Sequence, residues 1–180
     1  LSEWLAIWPS VTRFLLPSCF TEAITMNRIE AIKTILARHP GAAFFFSNGL
    51  TSREACAAAD RPGNFYMLHG MGETLAVAIG FHQACPEIET VAVEGDGNAI
   101  MGLASVSLLP REGLYYYVLD NGIYETTGGQ VRPELNFEIP FAERIPIEEG
   151  VAGTPNPPDP EKIKESFLTW RRQACVADED

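Results

Sequence analysis

The strongest constraint on this chain is a repeated alternation. After a first helix-patterned segment, short apolar runs that each end in a polar or glycine-rich turn alternate with helix-patterned segments through four such runs. The runs "AAFFFS", "NFYML", "IETVAVE" and "LYYYVLD" read as strands. The first is a continuous apolar stretch of the kind buried on both faces of a sheet. Before it, "MNRIEAIKTILARHPG" places Ile29, Ile32, Ile35 and Leu36 on the helical period, and Pro40 and Gly41 stop it. "NGLTSREACAAAD" predicts a turn, an N-cap at Thr51 or Ser52, and an alanine-rich helix. "ETLAVAIGFHQA" predicts another helix, and one more runs from about Ala99 to Leu109, ended by Pro110. The alternation implies an α/β fold, a parallel β-sheet with helices on both faces.

The turns matter as much as the strands. They read "SNG", "HGMG", "EGDGN" and "DNG". In a parallel sheet these ends share one edge, and ligands of open α/β folds bind outside it. One such turn is an ordinary glycine cap; four together predict a single extended site.

Composition narrows what could bind there. The chain has 180 residues, enough for one domain with a real core. Its formal net charge is −11, with 24 acidic residues against 13 basic ones. That argues against nucleic acid or an anionic membrane as partner. An anionic ligand would need glycine amides, helix ends or a metal. The cysteines, Cys19, Cys56, Cys85 and Cys175, form no C-x-x-C pair and read as reduced thiols of a cytoplasmic protein.

Residues 1–25 are apolar but interrupted by Glu3, Pro9, Arg13 and Pro17. They make a poor membrane span and an unconvincing signal peptide. They read as an arm that packs on the domain or on a partner. The α/β domain is expected over residues 26–150. A proline-rich linker, "GVAGTPNPPDPE", and an amphipathic helix, "EKIKESFLTWRRQA", fill residues 151–180.

The chemistry concentrates in "VAVEGDGNAI", which sets a carboxylate between two glycines where a phosphate would be expected. A dinucleotide fingerprint would need a third glycine where Ile100 stands. As a plain turn residue or N-cap, Asp96 would be commonplace. The loop "DNGIYETTGGQ" favours a different reading. Asp96 ends the third strand and Asn121 the fourth, and a right-handed crossover sets them side by side. Gly122 frees the chain to turn the Ile123 carbonyl inward. Three such oxygens form a partial shell for Mg²⁺, completed by phosphate oxygens and water. Asp96 would then hold a cation that bridges to a diphosphate. Gly95 and Gly97 let the backbone approach, and the amides around Asn98 open a helix toward the anion.

These residues carry a family resemblance. "GDGNAIMGLASVSLLPREGLYYYVLDN" resembles the thiamine-diphosphate motif, which opens with GDG and closes with an asparagine pair, here Asp120-Asn121. More narrowly, Met26 to Gln130 resembles the sulfopyruvate and phosphonopyruvate decarboxylases, above all in "SNGLTSREACAAADRPGNFYMLHGMGE" and "YVLDNGIYETTGGQ". The resemblance implies the diphosphate-binding (PP) domain of the thiamine-diphosphate fold, with Mg²⁺ on Asp96, Asn121 and the Ile123 carbonyl. Met71 would wedge under the cofactor and hold it bent; taken alone it reads more readily as a core methionine. The backbone carbonyl of His69, beside Gly70, would accept from the aminopyrimidine. Asn48, Ser52 and Thr126 would border the diphosphate and the substrate.

The implied reaction is decarboxylation of a short 2-oxo acid with an anionic tail to an aldehyde and CO₂. The cofactor is the electron sink. A carboligase or a non-catalytic scaffold are the alternatives. The family also implies a separate pyrimidine-domain subunit that supplies an activating glutamate. Glu54 sits in a similar alanine-rich setting, but its position falls inside the PP domain. The family usually has glycine where His69 stands, so its imidazole either faces the substrate as an acid or base or points to solvent. His39 and His82 fall on predicted helices and take no role. After "GGQ" the family adds a strand and a helix, whereas "VRPELNFEIPFAERIPIEEGVAGTPNPPDP" reads as less regular.

Overall fold

The computed structural model describes residues 26–110, 112–134, 138–150 and 153–176; the expected arm at residues 1–25 lies outside them. α1 (Arg28–Arg38) opens with a capping box. The Asn27 side chain accepts from the Glu30 amide, and the Glu30 carboxylate accepts from the Asn27 amide, so two otherwise orphaned donors are satisfied. β1 (Ala43–Phe46) is buried throughout. Successive side chains alternate between faces, sending Phe44 and Phe46 one way and Phe45 the other.

α2 (Leu50–Ala59) starts earlier than the sequence pattern suggests. Its N-cap is Gly49, at φ 85°, and Thr51 and Ser52 lie buried inside the helix. The Ser52 hydroxyl has an inward use: it lies 3.0 Å from the Phe46 carbonyl and 3.1 Å from that of Met67. It thereby ties β1 to the end of β2 (Asn64–Tyr66).

α3 (Thr74–Ala84) and β3 (Thr90–Gly95) follow as expected. The next helix does not run from Ala99 to Leu109. α4 spans Asp96–Met101, and a 3₁₀ turn over Leu103–Leu108 replaces the rest. The break falls at Gly102, where a Cβ would lie 2.3 Å from the Gly72 carbonyl oxygen. No side chain fits between those two segments.

β4 (Leu114–Asp120) leads into a hairpin rather than an open loop. β5 (Ile123–Tyr124) pairs antiparallel with β6 (Gln130–Val131). The segment read as irregular then supplies β7 (Ala142–Pro146), parallel to β4. The expected departure after "GGQ" is therefore smaller than the prolines suggested. α5 (Pro160–Val176) is the last element.

The main sheet has the order β2-β1-β3-β4-β7, with every pairing parallel. The chain starts in the middle, moves outward to β2, then returns past β1 to β3. Its direction of winding reverses between β1 and β3, and that reversal opens a crevice at the strand ends. One face packs Ile32 and Ile35 of α1 on Phe44, Phe46, Val91 and Val93. The other packs Leu75, Ala78 and Ile79 of α3 on Phe45, Ala92 and Val118. Phe167 of α5 meets the rings of Phe45, Phe65 and Phe81, each at a centroid distance of 5.4 Å. The last helix thus belongs to the same core. Among the described residues no helix is long and apolar enough to cross a membrane.

Candidate active site

A cleft lies at the reversal point. Asn48 enters it from the end of β1 and Gly95 from the end of β3. Asp96, Gly97 and Asn98 come from the first turn of α4, Asn121 from the end of β4, Ile123 from β5 and Thr126 from the hairpin. Met71 stands at its margin. Register explains the convergence: Gly95 pairs with Leu119, so Asp96 and Asp120 fall side by side one residue later. Three residues from the sequence reading stay outside the lining. Ser52 is buried beneath it, while His69 is exposed and Gly70 half-buried on the turn before Met71.

That turn is locked to α4. The Gly72 amide donates to Asn98 Oδ1 at 2.9 Å. Gly72 holds φ 80°, and a Cβ there would lie 2.8 Å from Met101 Cβ and 2.9 Å from the Gly102 nitrogen. Met71 is 56% exposed, so the core-methionine alternative fails. On the other side, the Tyr124 ring lies against Gly97, where a Cβ would come within 2.8 Å of two ring carbons.

The electrostatics were not foreseen. Asp96 is 5% exposed. Its Oδ1 accepts from the Gly97 amide at 2.9 Å. Its Oδ2 accepts from the Gly122 amide at 3.0 Å and from Arg132 Nε at 2.6 Å. Asp120 accepts from Arg132 Nη2 at 2.8 and 3.0 Å, and from Arg144. Burial, together with the adjacent Asp120, pushes the Asp96 carboxyl above the ordinary carboxylate range against the pull of Arg132. At Asp120 burial acts upward too, but the Arg132 hydrogen bonds and the charges of Arg132 and Arg144 bring it below that range. Sequence reasoning missed Arg132 because it lies in the stretch judged irregular. Two adjacent buried carboxylates do require a counter-charge, but only the fold shows that Asp96 and Asp120 are buried together.

A second network flanks the cleft. Asn121 Oδ1 accepts from the Ile123 amide at 3.2 Å, and its Nδ2 donates to Glu125 at 2.9 Å. Glu125 also accepts from Arg28, and Arg28 bonds Glu54 at 3.1 Å. Glu54 is 1% exposed and held by that arginine. It is a structural ion-pair partner and does not line the cleft.

The donor set suits a hard cation and a phosphate. Asp96, Asn121 and Ile123, each an oxygen-bearing residue, line one cleft. Among the described residues no group of three or more His, Cys, Asp or Glu could hold a metal. A cation here would take few protein ligands and complete its shell from a bound phosphate and water, the habit of Mg²⁺. Asn48 Oδ1 is buried and has no hydrogen-bond partner. This end of Asn48 is an unused polar group on the cleft wall.

Residues 48–175 match the family described as thiamine pyrophosphate enzyme, C-terminal TPP binding domain. A phosphonopyruvate decarboxylase of Streptomyces hygroscopicus is 38% identical over 108 residues, 58% of this chain and 27% of its own length. A sulfopyruvate decarboxylase subunit beta of Methanocaldococcus jannaschii is 35% identical over 108 residues, 58% of this chain and 57% of its own. Another of that name, from Methanothermobacter thermautotrophicus, is 30% identical over 142 residues, 71% of this chain and 76% of its own. The chain thus spans between about a quarter and three quarters of the relatives it matches.

Proposed function

This chain belongs to the thiamine pyrophosphate enzymes, and from that premise we propose that it is the cofactor-binding half of a Mg²⁺-dependent decarboxylase of a short 2-oxo acid with an anionic tail. The observation that carries the reading is the cleft at the β1–β3 reversal, where Asp96, Asn121, Ile123 and Asn48, with its unpartnered Oδ1, meet. Asp96, Asn121 and the Ile123 carbonyl would hold Mg²⁺. The amide of Asn98, with the side chain of Asn48, would receive the diphosphate. Thiamine diphosphate, when bound, supplies an electron sink for the carbon–carbon bond that breaks.

This chain's own residues bind and orient. The Gly72–Asn98 hydrogen bond sets Met71 at the cleft margin, where a bulky apolar side chain can support a bent cofactor and bring its groups together. His69, exposed on the same turn, is the group we assign to face the substrate as acid or base.

A separate pyrimidine-domain subunit completes the site. Met71 is 56% exposed and Met101 52% exposed, both on the lining of the cleft, and large apolar side chains exposed together suit an interaction surface. Glu54 is bound to Arg28, so the activating glutamate must come from elsewhere. Relatives carry the name subunit beta, which is consistent with a second chain.

Calorimetry of thiamine diphosphate binding with and without Mg²⁺, on the chain alone and with a pyrimidine-domain subunit, tests the reading. Binding should need Mg²⁺, and Asp96→Ala should abolish it. If Asp96→Ala keeps the affinity within about threefold, about 0.7 kcal/mol, the metal assignment is wrong. Mass spectrometry of products separates an aldehyde, which supports a decarboxylase, from an acyloin, which would indicate a carboligase.

A further inference from the structure

Arg132 is 8% exposed and all its guanidinium nitrogens are engaged. Nε lies 2.6 Å from Asp96 Oδ2. Nη2 bridges both Asp120 oxygens at 2.8 and 3.0 Å, and Nη1 donates to the Pro133 carbonyl at 2.9 Å. Its amide donates to the Gly122 carbonyl at 3.0 Å, so it is fastened to the turn that carries Asn121. With the Gly122 amide on the same oxygen, both lone-pair directions of Asp96 Oδ2 are occupied. A guanidinium therefore holds the carboxylate that the proposed function assigns to a divalent cation.

We infer that Arg132 is an internal stand-in for that cation, and that cation loading with the diphosphate displaces its Nε from Asp96. This rests on the reading of Asp96 as a metal ligand. Without a cation, two adjacent buried carboxylates would repel, and an unpaired buried charge is costly. Arg132 removes that repulsion. When the cation arrives, its charge and that of Arg132 compete for Asp96 Oδ2. Asp120 provides a second anchor, bidentate to Nη2 and shared with Arg144, so the guanidinium can leave Asp96 without leaving the site. Arg132 thus stabilises the cofactor-free chain and weakens cation binding through the same hydrogen bond. It is a positioning residue and does not enter the chemistry.

The test uses Mn²⁺ as a paramagnetic probe, added with thiamine diphosphate to the full chain with a pyrimidine-domain subunit. Free Mn²⁺ is followed by electron paramagnetic resonance. Arg132→Gln should lower the Mn²⁺ concentration at half-saturation by about tenfold and lower the melting temperature without ligands. Arg132→Lys, which keeps the charge, should stay near the wild type in Mn²⁺ affinity. If the wild type binds Mn²⁺ and Arg132→Gln binds it equally or more weakly, the inference is overturned while the function stands. A wild type that binds no Mn²⁺ overturns the metal reading, and the inference with it. Should Arg132→Gln not fold, a crystal structure of the wild type with Mg²⁺ and cofactor decides. Arg132 Nε must then lie beyond hydrogen-bond distance of Asp96 Oδ2, and a retained bond refutes the displacement.

Discussion

Gly72→Ala asks whether the turn carrying Met71 is pressed against the end of α4. Two costs add. At φ 80° an alanine adopts the left-handed conformation, which costs about 1–2 kcal/mol. Its Cβ would also lie 2.8 Å from Met101 Cβ and 2.9 Å from the Gly102 nitrogen and the Met101 carbonyl carbon. Carbon atoms in good contact sit about 3.5–4.0 Å apart. None of these neighbours is the free end of a side chain, so the backbone must shift, at about 1–3 kcal/mol. The sum is about 2–5 kcal/mol. Gly122 provides the control. Its φ is 77°, and nothing lies within 4 Å of its added Cβ, so Gly122→Ala should cost only the conformational part, about 1–2 kcal/mol. Urea unfolding followed by circular dichroism, with equal slopes for all three proteins, gives both numbers. If the two variants agree within about 0.5 kcal/mol, the turn is not seated on α4, and the placement of Met71 loses its support.

Three other outcomes follow from the packing. Glu94 is fully buried and accepts from the Tyr116 hydroxyl at 2.7 Å and the Leu75 amide at 3.3 Å. Burial raises its carboxyl above the ordinary 4.5. Its contribution to stability is therefore complete below that value and is lost as pH rises through the raised one. Urea midpoints between about pH 4 and about pH 8 should fall with pH in the wild type, and Glu94→Gln should flatten that slope. Arg28→Met leaves Glu54 buried without its partner, which should cost about 3–5 kcal/mol in urea unfolding, and adding Glu54→Leu should recover part of it. Phe167→Ala should cost about 3–5 kcal/mol, because its ring sits among Phe45, Phe65 and Phe81. A loss under about 1 kcal/mol would mean that α5 is only loosely attached.

What was legible in the sequence follows from burial. β1, β3 and the buried end of β4 are covered on both faces, so they write continuous apolar runs. Their glycine turns mark the strand ends. β7 was not legible because it is an edge strand: "AERIP" is largely exposed, and Pro146 is tolerated there as it would not be in a central strand. The start of α2 was misjudged for a different reason. Ser52 looks like a cap, but its hydroxyl reaches two strand-end carbonyls instead. Tertiary contacts override a local preference whenever the side chain is buried. Arg132 could not be placed from local pattern at all, since its partners lie 36 and 12 residues away.

The arginines themselves bear on the ligand. An acidic chain that receives a diphosphate needs positive charge, and three arginines do gather at the strand ends. Each is already matched: Arg28 to Glu54 and Glu125, Arg132 to Asp96 and Asp120, Arg144 to Asp120. A guanidinium matched to a carboxylate forms a nearly neutral pair and offers an anion little net attraction. The remaining donors on the cleft are uncharged: backbone amides, hydroxyls such as that of Thr126, and the side chain of Asn48. Those can orient a diphosphate, but they do not neutralise its charge. A divalent cation on Asp96 and Asn121 would supply that charge, and Arg132 keeps Asp96 ready for it by holding a like charge in its place.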